Sequence, residues 1–278
     1  MKKGAVLMTC YNRYKTTAQS IQSIINSNNA YHIEYDFFIV DDCSPDKSGE
    51  IIKREFPEIN LIEGTGSLYW NGGMRLAWQQ ASQVYDYDFY IWLNDDTNIL
   101  PNGLDELLDI YHYNKKSQKE AVIFGFCSSD RNDNIITYGG IYNRKRLFPN
   151  GKSQKANLIN GNIVLVPKTI FHEVGSLSDK YTHGMGDYDY SLRVIEKGFE
   201  CKSSKSVIAE CNNNIDYFQR RDISFKKKIH YILNNIRNKN PKFLFTEFVY
   251  FRQRHFGESR LFILLKYFVF FFLKALRI

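Results

Sequence analysis

The amino-terminal third of the chain alternates short apolar runs with helical patterns, and this alternation limits the fold more than any other feature. The runs are rich in aromatic and β-branched residues and have the length of buried strands. A strand–helix–strand order that repeats along the chain predicts a mostly parallel sheet with crossover helices. The four predicted strands are Ala5–Met8, Phe37–Val40, Ile59–Ile62 and Phe89–Leu93.

The helices between these strands are predicted from the spacing of their apolar residues, with Thr16 or Thr17 as the cap of the first. Further along, the same reasoning predicts a helix at Asp187–Lys197 and a last short strand at Val207–Ala209. Residues 127–157 are polar and rich in turn residues, and Ile135–Tyr138 is predicted as a hairpin arm within them.

Two predicted strands end in acidic doublets, Asp41-Asp42 and Asp95-Asp96. In an open α/β sheet, ligands bind just outside the carboxyl ends of the strands. Neighbouring carboxylates repel each other, so a site that keeps both ionised usually supplies a cation. Hard oxygen ligands suit Mg²⁺ or Mn²⁺, which often join protein carboxylates to substrate phosphates. The alternative is an ordinary turn in which the acids cap the next element.

Residues near these strand ends suit a nucleotide. A carboxylate such as Asp42 can accept the ring N–H of a base or the hydroxyls of a ribose. Tyr11 can stack on that base, or it is a surface aromatic. The segment Gly64–Gly73, which includes Trp70, can hold phosphate or sugar against its backbone amides. It lacks a Walker ending, and Arg75 in the following helix can reach a diphosphate.

A third acidic site lies at Asp187, where a predicted helix begins after a glycine-containing loop. A carboxylate there is stabilised by the helix dipole, so helix capping is one interpretation. The other is a general base that faces a cleft. Asp189 and Arg193 are four residues apart on the same helix, which indicates a structural ion pair.

The charge distribution indicates the kind of partner, and the cysteine content indicates the cellular compartment. The segment 215–278 carries 14 Lys and Arg against 4 Asp and Glu, whereas the rest carries 23 against 26. This split predicts a near-neutral body and a basic region directed at something anionic.

The 5 cysteines are widely spaced and form no CxxC pair, which favours a reducing compartment over disulfides or a zinc site. The apolar run near Met1 is too short for a signal peptide.

The carboxyl-terminal run Leu261–Leu273 is nearly all apolar and aromatic, but it is interrupted by Lys266. It is shorter than the roughly 20 residues that span a bilayer. An amphipathic helix on an anionic membrane surface is predicted, and a buried terminal helix or a homodimer contact is the alternative.

Five motifs in order resemble those of family 2 glycosyltransferases, from about Gly4 to Asn214. The resemblance implies a GT-A fold, a nucleotide-sugar donor, a divalent cation and inversion at the anomeric carbon. The matching segments are Thr9–Arg13, Val40–Ser44, Leu93–Thr97, Gly161–Pro167 and Gly186–Arg193.

The resemblance also implies roles for the donor-binding residues. Asp42 would bind a uracil or thymine ring, with Thr9 and Tyr11 as the wall of the base pocket. The tip Asn94-Asp95-Asp96 stands where the family has its DxD motif. Asp96 would bind the metal, and Asp95 would contact the ribose or a metal-bound water.

Asp187 matches the aspartate of the family's acidic pair and would be the catalytic base. The glutamate that often precedes this aspartate is Gly186 here. The segment 70–73 resembles a bacterial subset that acts on cell-surface polysaccharides and includes rhamnosyltransferase-like members.

The sequence therefore predicts an α/β GT-A (Rossmann-like) domain at 1–214, with a mostly parallel central sheet flanked by helices, and a basic helical extension at 215–278. The expected protein is cytoplasmic and peripheral on the inner face of a bacterial membrane. It uses Mn²⁺ or Mg²⁺ to move a sugar from UDP or dTDP to a glycan or lipid-linked glycan, and it does not bind nucleic acid. The alternatives are a sugar-phosphate nucleotidyltransferase, which a loop without glycine after the first strand disfavours, and a non-catalytic membrane-associated binding protein.

Overall fold

A computed structural model describes residues 2–129, 135–212, 224–237 and 244–276. The described part is built on a mixed sheet of ten strands with helices on both faces, and a small sheet of three strands lies beside it. The strands are β1 (Lys3–Cys10), β2 (Glu34–Asp41), β3 (Asn60–Glu63), β4 (Phe89–Leu93), β5 (Asn98–Ile99), β6 (Ala121–Ser128), β7 (Ile136–Tyr138), β8 (Gly140–Tyr142), β9 (Lys145–Arg146), β10 (Lys155–Ala156), β11 (Leu158–Ile159), β12 (Ile163–Pro167) and β13 (Glu200–Glu210). The helices are α1 (Tyr14–Ile25), α2 (Ser48–Glu55), α3 (Tyr69–Val84), α4 (Gly103–Lys116), α5 (Lys168–Val174), α6 (Gly186–Glu196), α7 (Phe225–Ile236), α8 (Phe245–Phe256) and α9 (Arg260–Leu276).

The central sheet confirms the predicted fold class. Its main path runs β10-β13-β6-β12-β4-β1-β2-β3, with β5 beside β13 and β7 beside β6. The pairs β1–β2, β1–β4, β2–β3 and β6–β13 are parallel. Strand β12 is antiparallel between β4 and β6. Because of this reversal, the start of β12 lies at the carboxyl end of β4.

Successive residues of the central strands pack against opposite helical layers. On β4, Ile91 and Leu93 join the core beneath α1 and α4, whereas Tyr90 and Trp92 join the core beneath α3, α5 and α6. Trp78 of α3 packs on Trp92 with ring centroids 5.5 Å apart. Burial on both faces explains why these strands are nearly continuous apolar runs.

Two local predictions were wrong. The first helix begins at Tyr14, and Thr17 lies inside it, where its hydroxyl donates to the Arg13 carbonyl at 3.0 Å instead of capping the helix. The last strand starts at Glu200, well before the predicted position. Ser203 and Ser204 in this strand are fully buried, and the Ser204 hydroxyl accepts the backbone N–H of Phe126 at 3.0 Å.

The stretch 127–157 holds regular structure, and its predicted hairpin arm is the strand β7, which pairs with β6. The stretch also contributes β8 and β9 to the small sheet, in which both β11 and β9 pair with β8. The acidic residues Asp95 and Asp96 do not cap a helix, because the next element after β4 is the short strand β5.

Helix α8 is docked on the rest of the fold. The Glu247 carboxylate accepts hydrogen bonds from the N–H and the hydroxyl of Thr182 at 2.9 and 2.6 Å. His255 Nε2 lies 2.9 Å from Asp189, which itself forms the predicted pair with Arg193 at 2.7 Å. The predicted domain boundary at 214–215 lies outside the described residues.

Helix α9 packs on α8 through Ile263 and Tyr267, which contact Phe245 and Val249. Its other side exposes a stripe of large apolar residues. None of the helices that the structure describes has both the length and the apolar character needed to cross a bilayer. The exposed stripe consists of Leu261, Phe262, Leu265, Phe268 and Val269.

Candidate active site

The carboxylates of Asp95 and Asp96 lie at the tip of β4 and share one cationic partner. Arg13, in the loop between β1 and α1, places Nη1 3.1 Å from Asp95 Oδ1 and 3.2 Å from Asp96 Oδ2. Burial raises the pKa of Asp95 to about 7, an effect that Arg13 opposes and Asp96 increases. Asp95, followed by Asp96, raises the pKa of Arg13. The two acids therefore converge on a single positive charge, as expected where like charges are held together.

This arrangement of donors fits a divalent cation. Both carboxylates offer hard oxygen ligands, and both already point at one cationic nitrogen. Across the described ranges, no cluster of three or more His, Cys, Asp or Glu side chains surrounds a common metal position. An ion held here would take its protein ligands from Asp95 and Asp96 and complete its shell with phosphate oxygens and water, as Mg²⁺ usually does.

Asn94, the first residue of the acidic tip, is engaged elsewhere. Its Oδ1 accepts a hydrogen bond from Trp70 Nε1 at 2.7 Å, and its N–H donates to the Asn162 carbonyl at 2.9 Å. The antiparallel pairing of β12 with β4 produces this contact, because Ile163 lies opposite Leu93. The structure therefore brings Trp70 to the tip of β4.

Asp187 is held beside Trp70 by the loop that precedes β12. Asp187 Oδ2 accepts the N–H of Gly161 at 3.1 Å, and Oδ1 accepts the N–H of Tyr188 at 2.8 Å. A Cβ on Gly161 would lie 2.5 Å from the Trp70 ring and 3.5 Å from Asp187 Cβ. Burial raises the pKa of Asp187 to about 6, although the two N–H groups oppose the rise. A carboxylate with raised basicity suits a general base.

A second path of contacts joins Asp187 to Asp96. Cys211 Sγ lies 3.4 Å from Asp96 Oδ1, and Asn162 Nδ2 lies 3.4 Å from the same sulfur. Asn162 follows Gly161, whose N–H binds Asp187. The predicted metal ligand and the predicted base therefore belong to one connected cluster. Cys211 was missed, because a lone cysteine carries no signal in a single sequence.

The departure from the family at Gly186 has a steric cause. A Cβ on Gly186 would lie only 1.9 Å from Asn71 Oδ1, so the backbone here approaches Asn71 too closely for any side chain. Asn71 is fully buried, and its Nδ2 donates to the carbonyls of Ser178 and Tyr181 at 2.8 and 2.7 Å. This asparagine ties the first turn of α3 to the loop that leads to Asp187.

Asp42 organises the loop before α3. Its carboxylate is 4% exposed and accepts the N–H groups of Gly66, Leu68 and Tyr69 at 2.8, 2.9 and 3.0 Å. These last two donors lie at the start of α3, where a negative charge is stabilised by the helix dipole. The predicted contact of Asp42 with a base stays a prediction, and in the structure its oxygens already serve the loop.

The remaining predicted residues lie around the same edge. Thr9 packs directly against Gly73 in the first turns of α3. Tyr11 follows β1 and is 55% exposed. Arg75 lies on α3 and is partly buried. The structure brings these residues to one side of the sheet, and their roles toward a donor stay predictions.

The sheet order and the acidic edge define a GT-A-type α/β protein. Residues 5–165 match the family described as Glycosyl transferase family 2. The chain belongs to this family, and its class is that of a glycosyltransferase. No curated protein sequence matches it.

Solved structures share the fold at low identity. Residues 1–349 of TarS from S. aureus, in complex with UDP-GlcNAc, match with a TM-score of 0.55 and 14% identity over 94% of this chain and 74% of that one. The mannosyltransferase PcManGT from Pyrobaculum calidifontis, in complex with GDP-Man and Mn²⁺, gives 0.56 and 11% over 85% and 63%. At such identities the likeness concerns the fold alone.

Proposed function

We propose that the protein is a metal-dependent inverting glycosyltransferase that moves a hexosyl or deoxyhexosyl group from a UDP- or dTDP-sugar to a hydroxyl of a glycan acceptor. The observation that carries the proposal is the connected cluster that joins Asp96 to Asp187. It combines paired carboxylates suited to a cation with a separate carboxylate of raised basicity. Family membership of the chain supports the same activity.

Asp187 is the proposed base. It removes the proton of the acceptor hydroxyl as the oxygen attacks the anomeric carbon on the face opposite the diphosphate. Its carboxylate is oriented by the N–H groups of Gly161 and Tyr188, so the proton-accepting atom is fixed before substrate binds. A bound Mg²⁺ or Mn²⁺ supplies positive charge to the departing nucleoside diphosphate. Asp96 would hold the ion, and Asp95, which is predicted to contact the ribose or a metal-bound water, would join it because both acids converge on the same point in the structure.

The donor base is proposed to bind Asp42, with Thr9 and Tyr11 as the wall of the base pocket. A UDP or dTDP donor fits equally, because uracil and thymine present the same N3–H edge. Trp70 and Arg75 are proposed to contact the sugar and the diphosphate. Membership of the rhamnosyltransferase-like bacterial subset is part of the proposal and rests on the segment 70–73 alone.

A donor screen tests the function. The protein is incubated with UDP-, dTDP- and GDP-sugars and Mn²⁺, and the melting temperature is recorded, because a ligand that binds the folded state raises it. Release of the nucleoside diphosphate is then measured for the donors that bind. We expect stabilisation and release with a UDP- or dTDP-sugar. Absence of release from every donor, with and without glycan acceptors, would contradict the proposal.

The acceptor is proposed to be lipid-linked, because α9 offers a surface that suits a membrane on the cytoplasmic side. Leu261 and Leu265 are 78% and 61% exposed, and they belong to an apolar stripe beside Arg260 and Lys266. Apolar area together with basic residues favours anionic lipid. The same stripe could serve a homodimer, and the test below separates the two.

The membrane test compares full-length variants in flotation with vesicles that contain anionic phosphatidylglycerol. Leu261→Glu combined with Leu265→Glu should lose flotation. Tyr113→Glu, at a residue that is 72% exposed on α4, is the matched control and should float like the unmodified protein. Equal flotation of both variants would exclude α9 as the anchor, and a change of oligomeric state without a change of flotation would indicate the homodimer contact.

A further inference from the structure

The guanidinium of Arg13 lies between the carboxylates of Asp95 and Asp96, the two residues that are proposed to hold a divalent cation. One nitrogen, Nη1, contacts both carboxylates, at 3.1 and 3.2 Å. The Arg13 side chain is 45% exposed, whereas those of Asp95 and Asp96 are 14% and 29% exposed. The arginine therefore reaches in from the solvent side, and its head is free to leave in that direction.

The backbone that carries Arg13 is fixed on both sides. The Arg13 N–H donates to Ser48 Oγ at 3.0 Å, and its carbonyl accepts the N–H of Thr17 at 3.0 Å. Asn12, just before it, adopts a left-handed conformation with φ of 57° and donates its N–H to Ser44 Oγ at 2.8 Å. Only the flexible side chain of Arg13 can change position without disturbing these contacts.

We propose that Arg13 is a built-in counter-cation that competes with the divalent ion for Asp95 and Asp96. In the absence of metal, it neutralises part of the repulsion between the two acids and keeps both carboxylates turned toward one point. When the ion binds, the guanidinium leaves the carboxylates. The proposal deepens the metal-dependent part of the proposed function and rests on it.

The competition follows from charge and space. The guanidinium nitrogen Nη1 fills the space between Asp95 Oδ1 and Asp96 Oδ2, and an ion that contacted both carboxylates there would need the same space. Two positive groups held within a few ångströms would also repel each other. An ion that binds therefore displaces the arginine. The free energy of the two contacts that Arg13 makes with Asp95 and Asp96 is lost on binding, and this loss lowers the metal affinity.

The test is direct titration of the donor-free protein with Mn²⁺, followed by calorimetry or by the loss of the free-ion EPR signal. Arg13→Gln should bind Mn²⁺ more tightly than the unmodified protein, by about fivefold, which is the upper end of what a partly exposed ion pair contributes. Arg13→Lys keeps the charge on a more strongly hydrated ammonium group, which should compete less well with the ion, so its affinity should fall between the two. Thermal unfolding of each variant verifies that it is folded.

Arg54→Gln is the matched control, since it removes the same charge from an exposed position on α2 and should leave Mn²⁺ affinity unchanged. Equal or weaker binding by Arg13→Gln would overturn the proposal, as would equal tightening by Arg54→Gln or no Mn²⁺ binding in any of the proteins. Because the titration needs no sugar donor, its failure differs from failure of the transferase proposal, in which no diphosphate is released.

Discussion

Replacing Asp187 by asparagine should remove catalysis and leave the donor site intact. The substitution keeps the shape of the side chain but removes its basicity. General base catalysis typically contributes about 10² to 10⁴ in rate, which corresponds to about 3 to 5 kcal/mol in the activation free energy. Asp187→Asn should lose turnover by that factor. Its affinity for UDP with Mn²⁺ should change little, because Asp187 contacts Gly161 and Tyr188 rather than the acidic tip.

The raised pKa of Asp187 should make both kcat/KM and the free energy of unfolding depend on pH. Burial moves the pKa of Asp187 from 3.8 to about 6, and only the deprotonated carboxylate can accept a proton. The kcat/KM of the unmodified protein should therefore fall about tenfold per pH unit below about pH 6. Between these two pKa values the folded state holds a proton that the unfolded state has released. The free energy of unfolding accordingly decreases as the pH rises through this window, by about 3 kcal/mol in total.

Activity is measured as diphosphate release across the pH range, and stability as urea unfolding at the same pH values. Asp187→Asn should lack this contribution to the pH dependence of unfolding. Asp179→Asn is the matched control, since Asp179 is an exposed residue that pairs with Lys180, and it should keep both profiles. Turnover by Asp187→Asn within about threefold of the unmodified protein would remove Asp187 from the role of base.

Further substitutions at Asp42, Gly186, Asn71 and Glu247 test the contacts that position the site. Asp42→Ala leaves three loop N–H groups without their acceptor and should lower the free energy of unfolding by about 3 kcal/mol, whereas an unchanged urea midpoint would show that the loop does not depend on it. Gly186→Ala places a Cβ against Asn71 Oδ1 and should lower the melting temperature, and adding Asn71→Ala to it should cost less than the two single losses combined if the clash is real. Glu247→Ala removes the acceptor of both Thr182 donors and should speed amide hydrogen exchange along α8, so unaltered exchange would mean that this helix is held elsewhere.

The central part of the fold could be predicted because its signal is local. An apolar run such as Phe89–Leu93 is buried on both faces, and its length and composition alone favour a strand. The beginning of β13 gave no such signal. Ser203 and Ser204 are fully buried there, and their burial depends on hydrogen bonds to distant residues such as Phe126. A polar pattern whose partners are far away in sequence does not reveal a strand.

Local signals and contacts with distant residues also explain which residues of the site could be predicted. Carboxylates at strand ends were found because strand direction places them on one edge of the sheet. In the sequence, Arg13 stands out only as part of a motif, because its partners Asp95 and Asp96 lie more than eighty positions away. Asn71 was likewise passed over, since its closeness to Gly186 exists only in the folded chain.

The loop that presents Asp187 is held from two directions, and one of the two holds involves the carboxyl-terminal region, which therefore supports the proposed base. Thr182 accepts the N–H of Asn71 through its carbonyl at 3.1 Å and donates its own N–H and hydroxyl to Glu247 at 2.9 and 2.6 Å. One residue thus connects α3, which carries Trp70, with α8. Because α8 also packs on α9, the exposed apolar stripe and the proposed base are joined by a short series of packed elements. A division of the chain at residue 214 would remove the partner of Thr182, so the amino-terminal part alone would lack one of the two supports of its catalytic loop.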